Sequence, residues 1–118
     1  MTEYPNSLGN IEISPEAIAT IASQAVLQSY GVVGMAARNI VDGLAHRLTH
    51  DPRHGVEVLV GDEITINLYI IVEYGTRISA VASSAASSVR FHVEKALDMP
   101  VGQINVHVQG LRISHTDA

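Results

Sequence analysis

The sequence has no cysteine, no tryptophan and one phenylalanine, Phe91. Without thiols, disulfides, thiolate nucleophiles and cysteine-ligated metals are excluded. With one Phe and no Trp, the core has to be assembled from small and branched residues. Charge is sparse as well: 16% of residues are charged, seven basic against twelve acidic, for a formal charge of −5. The cations Arg38, Arg47, Arg53, Arg77, Arg90, Lys95 and Arg112 are scattered. Backbone-driven nucleic-acid binding needs a concentrated positive field, so nucleic acid is not the expected partner. No apolar run approaches the roughly 18 residues of a helical membrane span, so no direct membrane insertion is expected. The opening MTEYPNSLGN has neither a basic stretch nor an apolar run, and no signal peptide or lipidation is expected there. A cytoplasmic protein is the expectation.

What is present is 118 residues, 47% of them apolar. That suits one domain, 1–118, with a core of its own. Residues 1–8 and 115–118 read as flexible ends. "GNIEIS" alternates Ile11 and Ile13 around Glu12, a short strand. "SPEAIATIASQAVLQSYG" then switches to helical spacing through Ile18, Ile21, Ala22, Ala25 and Val26. Ser14 suits the N-cap, Pro15 the first helical position, and Glu16 the positive end of the helix dipole. Gly31 is placed to end this helix with a positive φ.

Residues 35–55 are the least legible. A short helix over about 37–49 is one reading, and a partly ordered insertion is the other. Period two follows. Val56, Val58 and Val60 share one face, and Gly61-Asp62 makes a turn. Ile64, Ile66, Leu68, Ile70 and Val72 then line one face of a long strand. Thr65, Asn67, Tyr69, Ile71 and Glu73 line its other face. Ile78, Ala82, Ala85, Val89, Val93 and Leu97 form the apolar stripe of a second long helix. A final strand places Ile104, Val106 and Val108 inward and Asn105, His107 and Gln109 outward. The predicted fold is α+β in two layers, ordered β-α-β-β-α-β. Its small mixed or antiparallel sheet carries both long helices on one face.

Motifs for chemistry are few. Gly31-Val32-Val33-Gly34 after a helix has the form of a KH-type backbone clamp. Its two central valines offer no charge and no side-chain hydrogen bond. They fit better as packing that seats a helix end on the sheet, with Gly34 allowing close backbone approach. Asp42, His46, His50 and His54 are spaced by four, as ligands on one helix side would be, but Pro52 and Gly55 interrupt the series. No metal and no cofactor is expected. Ser83, Ser84, Ser87 and Ser88 lack a nucleophile-elbow motif, and no base is signalled beside them. No phosphate loop or dinucleotide fingerprint occurs. No catalytic residue is assigned. The outward row Asn67, Tyr69 and Ile71 with Asn105, His107 and Gln109 mixes amides, aromatics and an apolar group. It is the candidate interaction surface, unless residues 35–55 cover it.

Three stretches, "GNIEISPEAIATIASQAVLQSYGVVGMA", "INLYIIVEYGTRISAVASSAASSVRFHVEKAL" and "INVHVQGLRI", carry a resemblance to the alkaline shock protein family, the general or envelope stress response proteins. The pattern is the order of G-x-I-x-I-S, G-V-x-G-M, V-E-Y-G and the alternating final strand. Ser79 departs from it, since relatives often start that helix with proline. Residues 39–55 are individual to this chain. The resemblance implies a stress-associated interaction or scaffold role in cell-envelope homeostasis, without an agreed reaction. Together with the mixed sheet face and the small-residue helix surface, it leads to an expectation of self-association and protein partners, and it implies a membrane-anchored relative that gathers such proteins at the membrane. A KH-like single-stranded nucleic-acid module and an enzyme of unknown reaction are the alternatives.

Overall fold

The computed structural model describes residues 2–6, 9–36 and 55–113. Its elements are β1 (Thr2–Asn6), β2 (Gly9–Ile13), α1 (Pro15–Leu27), β3 (Val32–Met35), β4 (Val56–Val60), β5 (Ile64–Glu73), α2 (Ile78–Leu97) and β6 (Gln103–Arg112). Both helices pack on the central sheet through one apolar core, so the α+β two-layer architecture holds.

Helix α1 starts as its sequence dictates. The Ser14 side chain accepts from the Ala17 N–H at 3.2 Å, and Pro15 occupies the first turn. Ile18, Ala22, Ala25 and Val26 turn inward, and the alanines let the helix lie close to its neighbours. Ser23, fully buried, donates its hydroxyl to the Thr20 carbonyl and so remains satisfied. The second stripe is Val81, Ala85, Val89, Val93 and Leu97, a strict spacing of four. Ile78 was expected in that stripe but is 40% exposed, and Ala82 is half-buried. The place goes to Val81, because the end of α1 packs there: a Cβ added at Gly31 would lie 2.6 Å from Val81 Cγ2.

β5 is the centre of the sheet. β4 pairs with it antiparallel through the Gly61-Asp62 turn, and β6 pairs with it parallel along nearly its whole length, making the sheet mixed. β3 also pairs with β5, antiparallel, opposite Ile70–Val72. The Ala36 N–H bonds the Tyr69 carbonyl and the Tyr69 N–H bonds the Gly55 carbonyl, both at 2.9 Å. β3 and β4 are thus two parts of one edge strand, with the chain leaving and returning at Tyr69. Ile64, Ile66, Leu68, Ile70 and Val72 are the buried face of β5, as their alternation predicts.

Two expectations about the order of strands need correction. The strand over Ile11–Ile13 does not enter this sheet. It pairs antiparallel with Thr2–Asn6, within the stretch read as a flexible end, in a separate two-stranded sheet. Its place is taken by Val32–Met35, read in the sequence as a loop. Gly31 takes φ +89° and turns the chain straight out of α1, and the Glu73 N–H bonds the Gly31 carbonyl at 2.8 Å. The β-branched Val32 and Val33 then extend along β5. Gly34 is a residue of that strand, opposite Ile71, and not of a loop. A Cβ at Gly34 would meet open space, so no close backbone approach requires this glycine.

Candidate interaction surface

Among the described residues, α1 and α2 cover one face of the sheet, and the row Asn67, Tyr69, Ile71, Asn105 and His107 lies on the other; the part of the alternative cover between residues 37 and 54 lies outside the described residues. Parallel register sets Asn67 beside Asn105 and Tyr69 beside His107. The Asn105 amide donates to Asn67 Oδ1 and the Asn67 amide donates to Glu57 Oε1, each at 2.9 Å. One polar chain therefore crosses β6, β5 and β4. Next to it the Tyr69 and His107 rings stack, centroids 4.6 Å apart and planes 10° from parallel. Tyr69 is buried although it points away from the helices, while Asn105 and His107 are exposed. Leu59, opposite Thr65 on this face, is 51% exposed.

Gln109 does not complete the row. The register slips between Ile70 and Ile71, so Val108 is opposite Ile70 but Gly110, not Gln109, is opposite Ile71. Gln109 is the extra residue of a β-bulge, which re-aims side chains beyond it. Strict alternation carries no sign of that slip. Glu57 and Leu59 belong to this face, and the sequence reading missed both. The antiparallel register of β4 on β5 was the signal that would have found them.

The other candidates are dispersed. Asp42, His46, His50 and His54 lie outside the described residues, as does the helix read over 37–49. Among the described residues no three His, Asp or Glu side chains converge as metal ligands. Gly31 and Gly34 bracket a turn and a strand, not a loop between two helices, so the backbone-clamp geometry of the KH alternative is not formed. Ser88 and His92 are neighbours on α2, but His92 Nδ1 lies 2.8 Å from the Ser88 carbonyl. To bond there it must donate, which leaves that nitrogen unable to accept the Ser88 hydroxyl proton. An open cleft of about 480 Å³ lies between the end of α1 and the start of α2, lined by Tyr30, Thr76, Arg77, Ala80 and Ser84 among others. Among the described residues Arg77 is its one ionic group, and the Thr76 hydroxyl is directed to the Glu73 carbonyl. That lining offers no acid–base pair. Among the described residues no helix is long and apolar enough to cross a membrane.

A family model described as "ASP23 family, cell envelope-related function" matches residues 3–113. The uncharacterized protein YloU of Bacillus subtilis (strain 168) is 40% identical over 116 residues, 96% of this chain and 97% of that protein. YqhY of the same organism is 34% identical over 114 residues, 95% of this chain and 84% of that protein. Spy1614 of Streptococcus pyogenes serotype M6 is 29% identical over 108 residues, 89% of each. Among solved structures, a MamM CTD variant in a zinc form is similar with a TM-score of 0.50 and 18% identity, covering 86% of this chain and 90% of that one. This last likeness is one of fold.

Proposed function

This chain belongs to the alkaline shock protein (ASP23) family, of cell envelope-related function, and from that premise we propose that it is a non-enzymatic interaction protein of cell-envelope homeostasis. It works in the cytoplasm, and protein partners, a membrane-anchored relative among them, bring it to the membrane. It associates with further copies of itself. The observation that carries this reading is the sheet face opposite the two described helices, where side chains are already paired with one another before any partner arrives. The Glu57–Asn67–Asn105 chain and the Tyr69–His107 stack fix polar groups and a flat aromatic surface. Ordered side chains lose less entropy on docking than free ones, which favours binding. An enzyme would instead need acids, bases or charge-stabilising donors converging in a pocket.

A photo-crosslinking residue tests this in cells of the native host. Placed at the exposed Leu59, on the face opposite the described helices, it is expected to trap discrete protein partners. Placed at the exposed Gln24 of α1, it is expected to trap none of them. No adduct at position 59, or the same adducts from both positions, would count against the proposal.

A further inference from the structure

Strands β1 and β2 pair with each other and, among the described residues, with no other strand. A two-stranded hairpin on its own is marginal in water, and a third strand is one way to stabilise it. Here β2 is exposed from Gly9 to Glu12, and Ile11 keeps 48% of its surface in solvent. Register also sets Glu3 opposite Glu12, and like charges opposite one another weaken a hairpin.

The two outer edges of this hairpin are not equal. Proline has no N–H, so Pro5 cannot exchange hydrogen bonds with Asn10, and the two form a non-hydrogen-bonded pair. The Pro5 nitrogen therefore faces outward, where the missing donor blocks the β1 edge. By the same alternation, the N–H and C=O of Asn10 and Glu12 point out from the β2 edge. No backbone hydrogen bond to a described residue takes them. Beside that edge, Ile11 and Ile13 share one face of the strand. With Ala96, Leu97 and Asp98 at the end of α2 they line an open cleft of about 440 Å³.

We infer that the β2 edge takes the β2 strand of a second copy of this chain, antiparallel, about a twofold axis at Ile11. This rests on the self-association in the proposed function and names the surface that performs it. The outward groups of Asn10 and Glu12 allow three hydrogen-bonded registers, centred on Asn10, Ile11 or Glu12. Centring on Glu12 sets like charges together on the axis. Centring on Asn10 sets Ile11 against Gly9 and leaves no apolar pair. Centring on Ile11 sets Ile11 against its own copy, at the close spacing of a non-hydrogen-bonded pair. It also sets Asn10 against Glu12 twice, with both backbone bonds exchanged and an amide donor beside each carboxylate. The strand is thus complementary to itself, and the added amide lies next to the Glu3–Glu12 pair that the lone hairpin leaves in repulsion. Gly9 of the second copy comes level with Ile13, which brings the tip of its hairpin to the cleft at the end of α2. Two marginal hairpins become one four-stranded sheet, and the isologous interface closes as a dimer.

The chain has no cysteine, so one introduced thiol reports the register without competition. Ile11→Cys places two Cα atoms about 4.5 Å apart across the axis, within disulfide range. Mild oxidation is expected to give a covalent dimer. Ile13→Cys places its thiols about 13 Å apart along the strands and is expected to give none. Sedimentation equilibrium supplies the second readout. Asn10→Pro removes a donor from the outer edge alone, because the Asn10 N–H does not bond β1. It is expected to raise the dimer Kd at least tenfold with the far-UV circular dichroism unchanged. The Ile11→Cys result keeps the test independent of how well the proline variant folds. A dimer that gives no disulfide at position 11, that crosslinks equally at 13, or that is indifferent to a folded Asn10→Pro would overturn the hairpin assignment and leave self-association intact. A strict monomer at all concentrations would overturn both, while partner capture at position 59 would still stand or fall separately.

Discussion

At the scale of single residues, the two glycines of Gly31-Val32-Val33-Gly34 have opposite standing. Gly31 holds φ +89° and faces Val81 at a distance where a methyl group cannot fit. Gly31→Ala is therefore expected to cost about 2 kcal/mol, from left-handed backbone strain together with overpacking. Gly34→Ala, with open space at its Cβ, is expected to change stability by less than about 0.5 kcal/mol. Urea unfolding of the two variants measures the difference directly. Equal losses would contradict the geometry. The sequence made the role of Gly31 legible because it follows a capped amphipathic helix. It left Gly34 illegible, because a glycine inside a short edge strand looks the same in sequence as one inside a loop.

At the scale of elements, α2 and β6 are joined by a short loop pinned from the helix. Arg90 donates to the Val101 and Gly102 carbonyls at 2.7 and 3.3 Å, and Glu94 Oε2 accepts from the buried Val101 N–H at 2.9 Å. The Arg90–Glu94 ion pair itself is partly exposed, at 43% and 34%, and adds little on its own. The backbone bonds matter more, since losing Glu94 leaves a buried donor without its acceptor. Glu94→Ala is expected to lower stability by about 1 kcal/mol and to speed hydrogen exchange at the Val101 amide. Exchange unchanged at Val101 would show that the clamp does not hold the loop. At the other helix, Ser14→Ala removes the N-cap and is expected to cost about 1 kcal/mol in the same unfolding assay. That cap, both helices and the β4–β5 hairpin were legible, because spacing, capping residues and turn residues all agree locally. The position of β2 was not. Alternation identifies a strand but not its neighbour, and here the neighbour is β1, not the central sheet.

At the scale of the whole molecule, the same limit explains the interaction surface. Asn67, Tyr69, Asn105 and His107 could be placed on one face from period two alone, and the parallel pairing of β5 with β6 brings them into contact. Gln109 was misplaced because a bulge inserts one residue into the ladder without a mark in the sequence. The net charge of −5 opposes attraction to an anionic lipid surface, and no described helix can span a bilayer. Purified protein is therefore expected to stay unbound in flotation with partner-free anionic vesicles. Direct flotation would show that the membrane itself is a partner. The central claim is that the sheet face opposite the described helices recruits this protein to envelope partners. Its most direct measurement is the position of a fluorescent fusion in the native host, compared with a Leu59→Ser/His107→Ala variant whose unfolding midpoint is unchanged. The account predicts a peripheral signal for the unaltered chain and a diffuse one for the variant. A peripheral signal from both, or a diffuse signal from both under envelope stress, would contradict it.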